Sequence, residues 1–127
     1  MAATVLVVED NDGFRDALEL VLSMEGYQVI TAIHGEDALH TVQLIRPDLI
    51  LLDLKMPVMG GVEFARNYRL RRGTKAPIIL CTAADSRETI DEVGAVGYLQ
   101  KPFGFQTLLA LVEWVAGRQA PVAGGVR

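Results

Sequence analysis

The sequence predicts an α/β domain built on a doubly wound, five-stranded parallel sheet. Two observations carry this prediction. Short aliphatic runs recur along the 127-residue chain, and the segments between them have apolar residues at helical spacing. A chain that repeats strand and helix five times pairs its strands in parallel, with right-handed crossovers and helices on both faces. The helix that follows the third strand run is predicted over residues 61–71.

The strand predictions rest on runs that are apolar without alternation, as expected of strands buried on both faces. The clearest run is Leu49–Leu52, which ends abruptly at Asp53 and is followed by a Pro- and Gly-containing loop. The last run, Gly97–Gln100, is the weakest. The five predicted strands cover residues 5–8, Gln28–Ala32, Leu49–Leu52, residues 77–81 and Gly97–Gln100.

The helix predictions rest on capping residues and on apolar faces. Asn11 and Asp12 offer capping side chains to the first helix, which Gly26 ends. The second helix is closed by Pro47, and the fourth is a short polar segment over residues 86–93. The apolar faces of the first, second and last helices are formed by Phe14, Ala17, Leu18, Val21 and Leu22, by Ala38, Leu39, Val42 and Ile45, and by Leu108, Leu111, Val112 and Val115.

Composition indicates a single globular domain, with 50% apolar and 22% charged residues. No apolar run is long enough to cross a bilayer, and the N-terminus lacks the basic start of a secretion signal. Cys81 has no disulfide partner. We therefore expect a cytoplasmic protein without a membrane partner. The net charge is −4 with mostly scattered basic residues, which predicts no direct nucleic-acid binding. Residues 1–116 form the predicted domain, and residues 117–127 form a predicted flexible tail.

Polar side chains follow several of the predicted strands. Glu9 and Asp10 end the first run, Asp53 ends the third, Thr82 ends the fourth and Lys101 ends the fifth. Because the carboxyl ends of parallel strands share one edge, these groups are expected to converge. Three neighbouring carboxylates repel one another and need a cation. An all-oxygen ligand set favours Mg²⁺, with Mn²⁺ as the alternative.

This set of groups suits phosphoryl transfer. Asp53 could attack a phosphorus atom while the metal and Lys101 neutralise the phosphoryl oxygens, and Thr82 could then hydrogen-bond the transferred group. Each group alone has an ordinary explanation: a turn aspartate, a β-branched residue at a strand end and a solvated lysine. Their joint placement on one edge favours the functional interpretation.

The chain resembles the receiver domains of response regulators in bacterial two-component signalling, over about residues 4–116. The resemblance implies the flavodoxin-like (βα)5 fold, a phosphoprotein rather than an enzyme, and a sensor histidine kinase or histidine phosphotransfer protein as the phosphoryl donor. It rests on VVEDN at residues 7–11, DLILLDLKMPVMGG at residues 48–61, ILCTA at residues 79–83 and GYLQKPF at residues 97–103.

The resemblance also implies a role for each site residue. Asp53 is the implied phosphoacceptor. The implied Mg²⁺ ligands are Asp10, Asp53 and the backbone carbonyl of Lys55, with Glu9 acting through water. Lys101 pairs with the phosphoryl group, and its bond to the following proline is expected to be cis. Thr82 and Tyr98 are the implied switch pair.

The chain departs from the family pattern in two places. Glu9 stands where Asp is commoner, and the spacing from Thr82 to Lys101 is short, which predicts a shortened fourth helix. That helix borders the surface on which receivers dimerise or dock, so a homodimer or an unknown downstream protein could use an altered geometry. Two alternatives remain: a phosphorylation-independent interaction module, and a phosphatase with an aspartate nucleophile. The phosphatase is disfavoured because Lys55 occupies the position of its general acid.

Overall fold

The computed structural model describes residues 2–83 and 87–119. Within them each strand is followed by a helix. The strands are β1 Thr4–Val8, β2 Gln28–Ala32, β3 Leu49–Leu52, β4 Ile78–Thr82 and β5 Gly97–Gln100. The helices are α1 Asp12–Met24, α2 Gly35–Leu44, α3 Gly61–Arg69, α4 Arg87–Val93 and α5 Phe105–Gln119.

All strand pairs in the described residues are parallel, in the order β2-β1-β3-β4-β5. β3 and β4 are buried along their whole length, as their unbroken apolar runs predict, whereas the edge strand β2 alternates between exposed and less exposed positions. The predicted doubly wound parallel sheet is therefore confirmed. Its order places β1 directly beside β3.

Each face of the sheet packs against its own helices. The first face lies under α1 and α5, and the second lies under α2, α3 and α4, so the sheet is covered on both sides. The buried residues of the first face include Val5, Val7, Leu49, Leu51, Ile79, Cys81, Leu18, Leu22, Leu108 and Val112. Those of the second face include Leu6, Val8, Ile50, Leu52, Leu80, Ala38, Phe64, Tyr68 and Val93.

Several helix boundaries differ from the sequence predictions. α2 ends at Leu44, and Ile45, predicted on its apolar face, is instead the extended C-cap. Pro47 disfavours the helical region at Arg46, which keeps the helix from continuing to the proline. α3 ends at Arg69 rather than at residue 71. α4 has 7 residues and is the shortest helix in the described chain, in line with the predicted shortening; the predicted start at Ser86 lies outside the described residues.

The last helix continues past the predicted domain boundary at residue 116. α5 runs to Gln119, and the rest of the predicted tail, residues 120–127, lies outside the described residues. None of the helices described here combines the length and the apolar character that a bilayer crossing requires.

Candidate functional site

Three carboxylates meet at the carboxyl edge of the sheet. Glu9 and Asp10 follow β1, and Asp53 follows the neighbouring β3. One carboxylate oxygen from each lies within 4.8 Å of the others. The N–H of Asp53 donates a 3.1 Å hydrogen bond to the Val8 carbonyl, so strand pairing itself brings the acids together. Glu9 and Asp53 are buried, whereas Asp10 is exposed.

Lys101 adds a cation from the end of β5. Its ammonium donates a 2.8 Å hydrogen bond to Oε1 of Glu9 and lies 3.6 Å from Oδ1 of Asp53. Its backbone N–H donates to the Thr82 carbonyl at 2.8 Å, which continues the pairing of β4 with β5. The bond from Lys101 to Pro102 is cis, as the family resemblance implied. The predicted convergence of acids and lysine is thus present.

An aromatic residue that the sequence analysis predicted only as part of the apolar face of the first helix also contacts this lysine. The Lys101 ammonium lies 4.7 Å from the ring centroid of Phe14, which packs edge-on against Phe103 at 5.7 Å. A ring face attracts a cation in this position and limits where the ammonium can move. The sequence carries a signal for this contact, because the capping residue Asn11 starts the first helix directly after the two acids. In the structure, Asn11 accepts a hydrogen bond from the Phe14 N–H, and the first turn of α1 lies beside the acids.

Thr82 and Tyr98, the predicted switch pair, lie on the neighbouring strands β4 and β5. Thr82 is buried, and its register partner is Gln100, two positions beyond Tyr98. Because side chains alternate along a strand, Thr82 shares a sheet face with Leu80, the register partner of Tyr98. Tyr98 is half-buried and packs against the apolar cluster of that same face. The two side chains are therefore diagonal neighbours.

Lys55 lies in the loop after β3, exposed, two residues beyond Asp53. This loop folds back on its own beginning, because the N–H of Gly61 donates a 2.9 Å hydrogen bond to the Leu54 carbonyl. The approach is so close that a Cβ on Gly61 would lie 2.4 Å from the Asp53 carbonyl oxygen. The contact of the Lys55 carbonyl with a metal stays a prediction.

The surroundings of Asp53 disfavour its charged form. Burial raises the pKa of Asp53 most, the charge of Glu9 raises it further, and Asp10 adds a smaller effect. The charge of Lys101 and the hydrogen bond from the Leu54 N–H lower this pKa, but by less. The pKa of Asp53 is raised from 3.8 to about 6 as a result. Burial and the neighbouring carboxylates therefore both favour the protonated form of Asp53.

The same surroundings favour the charged form of Lys101, whereas they disfavour the charged form of Asp53. Burial alone would lower the pKa of Lys101, but the hydrogen bond to Glu9 and the charges of Asp53 and Glu9 outweigh it and raise that pKa. The lysine therefore stays cationic throughout the physiological range. A permanent cation beside Asp53 is the group that an incoming phosphoryl dianion would need.

The donor set fits a hard divalent cation. Glu9, Asp10 and Asp53 form the only such group of three among the residues that the structure describes, and all their donors are oxygens. Carboxylate oxygens are the ligands that Mg²⁺ prefers. Cys81 is not a candidate ligand for a soft metal, because burial raises the pKa of its thiol to about 12 and keeps the thiol neutral.

Comparison with known sequences agrees with this geometry. Residues 5–113 match the family described as response regulator receiver domain. The chain is 42% identical over 120 residues to the transcriptional regulatory protein AfsQ1 of Streptomyces coelicolor, and 38% identical over 127 residues to the response regulator MprA of Mycolicibacterium vanbaalenii. These alignments cover 91% and 98% of this chain but 52% and 54% of the relatives. The chain thus spans about half the length of the curated relatives it matches.

Comparison with solved structures also finds response regulators. The chemotaxis response regulator CheY4 of Vibrio cholerae superposes with a TM-score of 0.83 at 39% identity, covering 91% of this chain and 99% of that one. The response regulator TrrA of Thermotoga maritima, solved in complex with Mg²⁺-BeF, superposes with a TM-score of 0.80 at 35% identity, covering 91% and 99%.

Proposed function

This chain belongs to the response regulator receiver family, and on that premise we propose that it is a switch activated by phosphorylation of Asp53. One observation carries the proposal: a buried carboxylate lies between two other acids and a lysine at the carboxyl edge of the sheet. The proposed donor is the phosphohistidine of a sensor histidine kinase or a histidine phosphotransfer protein.

The ionised Asp53 is the nucleophile in this proposal. A carboxylate oxygen forms a bond to phosphorus while the bond from phosphorus to the donor imidazole breaks. Lys101, 3.6 Å from Asp53, supplies positive charge beside the transferred group. Because Lys101 also holds Glu9 at 2.8 Å, the phosphoryl group competes with Glu9 for the same ammonium. The domain thus assists its own phosphorylation without being a conventional enzyme.

The proposed cofactor is Mg²⁺, or Mn²⁺ in its place. Asp10, Asp53 and the Lys55 carbonyl would hold the ion directly, and Glu9 would hold it through water. Bound there, the ion neutralises negative charge on the phosphoryl oxygens. The cluster of three carboxylates within 4.8 Å of one another supports this assignment, since their mutual repulsion favours a bound cation. The structure of the relative TrrA with Mg²⁺-BeF supports it as well.

Thr82 and Tyr98 are the proposed readout of the phosphorylated state. Thr82 hydrogen-bonds the phosphoryl group, and the Tyr98 ring then fills the space that Thr82 leaves on the same sheet face. The altered surface of α4, β5 and α5 would bind a downstream protein or a second copy of the chain. We place this switch in the cytoplasm, where its buried, unpaired Cys81 would stay reduced.

Incubation with acetyl phosphate and Mg²⁺, followed by intact mass measurement, tests the proposal. We expect the mass of one phosphoryl group to appear, and to be absent in Asp53→Asn or in EDTA. Asp16→Asn is the matched control, because Asp16 is an exposed acid on α1, and it should still be modified. An unmodified parent protein would support the phosphorylation-independent module instead. Rapid turnover of acetyl phosphate without a stable adduct would support the phosphatase.

A further inference from the structure

A small basic cleft lies at the edge of the sheet opposite Asp53. It forms where the end of α2 faces the segment between α3 and β4, and its volume is about 70 Å³. Four of its lining residues are cations, and none of the lining residues is acidic. The cations are Arg46 on the α2 side and Arg71, Arg72 and Lys75 on the other.

The charges in this cleft are poorly compensated, although the chain as a whole carries a net charge of −4. Within the described part of the chain, Arg46, Arg71 and Arg72 make no ion pair with a carboxylate. The acid nearest to Arg46 in sequence, Asp48, instead accepts a 2.8 Å hydrogen bond from the Thr4 N–H. Several cations close together repel one another, so an anion between them lowers the free energy of the folded state.

The remaining cation, Lys75, gives the cleft a defined shape. Its ammonium donates to the Arg71 carbonyl and to the Gly73 carbonyl, the latter at 2.8 Å, and lies 5.7 Å from the ring centroid of Tyr68. The hydroxyl of Tyr68, a buried residue, accepts a 2.9 Å hydrogen bond from the Ala76 N–H. These contacts hold the segment after α3 in place. The three arginines are the groups left to bind a ligand.

We propose that this cleft binds a phosphate-type oxyanion, either the free ion or the terminal group of a small phosphorylated metabolite. Guanidinium forks match phosphate oxygens in geometry and charge. A cleft of about 70 Å³ is larger than the roughly 10–15 Å³ that admits one water molecule, and its small size favours a compact anion over an extended chain. An acidic peptide spreads its carboxylates along a chain, whereas these four cations line a single small cleft. The site is separate from Asp53 and does not depend on its phosphorylation.

A phosphate titration monitored by amide NMR in EDTA tests the site. We expect saturable shifts of the Gly73, Thr74 and Lys75 amides at millimolar inorganic phosphate, with the Asp53 loop unaffected. Arg72→Gln should weaken binding about tenfold or more, the loss of one charge-assisted contact. The matched control is Arg66→Gln on the exposed side of α3, which removes the same charge outside the cleft and should leave the affinity unchanged.

Three probes distinguish the source of the anion from simple charge attraction. Glycerol phosphate that binds as tightly as inorganic phosphate supports a phosphorylated metabolite, and binding of inorganic phosphate alone supports the free ion. Acetate that binds equally well overturns the proposal, because the cleft then recognises only negative charge. The absence of saturable shifts, or equal losses in Arg72→Gln and Arg66→Gln, also overturns it.

Discussion

The Lys101 ammonium donates a 2.8 Å hydrogen bond to Glu9, closer than its 3.6 Å approach to Asp53. The proposed phosphoacceptor therefore shares its cation with a second buried acid. Glu9 therefore affects the pKa of Asp53 through its own charge and through its hydrogen bond to Lys101.

Replacement of Glu9 by Gln should lower the pKa of Asp53. The charge of Glu9 is the second largest cause of the raised pKa of Asp53, after burial, and the substitution removes it. Carboxyl-carbon NMR titration in EDTA measures the change directly. Asp16→Asn, which removes an exposed acid on α1, should leave the Asp53 titration where it is in the parent protein. An unchanged pKa in Glu9→Gln would show that the charge of Glu9 does not raise it.

Asp53→Asn should stabilise the metal-free protein at neutral pH. The pKa of Asp53 is raised to about 6, so the folded state binds this proton more tightly than the unfolded state, with its reference value of 3.8. That contribution to stability is fully present below the unfolded pKa and is lost as the pH rises through the folded one. The loss is at most about 3 kcal/mol, and asparagine avoids it.

Urea unfolding of parent and Asp53→Asn in EDTA across a pH series measures this effect. The difference in unfolding free energy should shrink as the pH falls towards the unfolded pKa, and Mg²⁺ at neutral pH should stabilise the parent more than the variant. A difference that is independent of pH would mean that the charge of Asp53 does not cause it.

Lys55→Ala should lengthen the lifetime of the phosphorylated state by several-fold. Lys55 is exposed on the loop that follows Asp53, and we expect its ammonium to contact a phosphoryl oxygen and to stabilise charge during hydrolysis. Loss of the phosphoryl mass over time, after removal of acetyl phosphate, gives the rate. Lys55→Arg, which keeps the charge, should retain much of the parental rate. Equal rates for Lys55→Ala and the parent would contradict this role.

Gly61→Ala should destabilise the protein by about 1–3 kcal/mol, the usual cost of overpacking. The new Cβ would lie 2.4 Å from the Asp53 carbonyl oxygen and 3.0 Å from Cα of Leu54, and backbone atoms cannot move aside cheaply. Gly13→Ala is the control, because the nearest atom to its Cβ lies at an ordinary 3.6 Å. Thermal unfolding of both variants measures the contrast, and an equal effect would exclude the steric cause.

The sequence by itself determined the alternation of strands and helices and the edge that carries the site. Both follow from local patterns: unbroken aliphatic runs such as Leu49–Leu52 form buried parallel strands, and the residue after each run lies at the shared carboxyl edge. Asp53 and Lys101 could therefore be assigned to one place before any distance was known. The helix ends were less well determined, because local turn contacts decide them.

Only the tertiary structure decided which groups touch. The strand order places β1 beside β3, so Glu9 lies close to Asp53 and competes with it for Lys101. Glu9 and Lys101 are 92 positions apart in the chain. The position of Phe14 against Lys101 and the convergence of Arg46 with Arg71 likewise depend on packing between distant segments. The physical reason is that charge and contact energies depend on distances through space, which local sequence patterns do not encode.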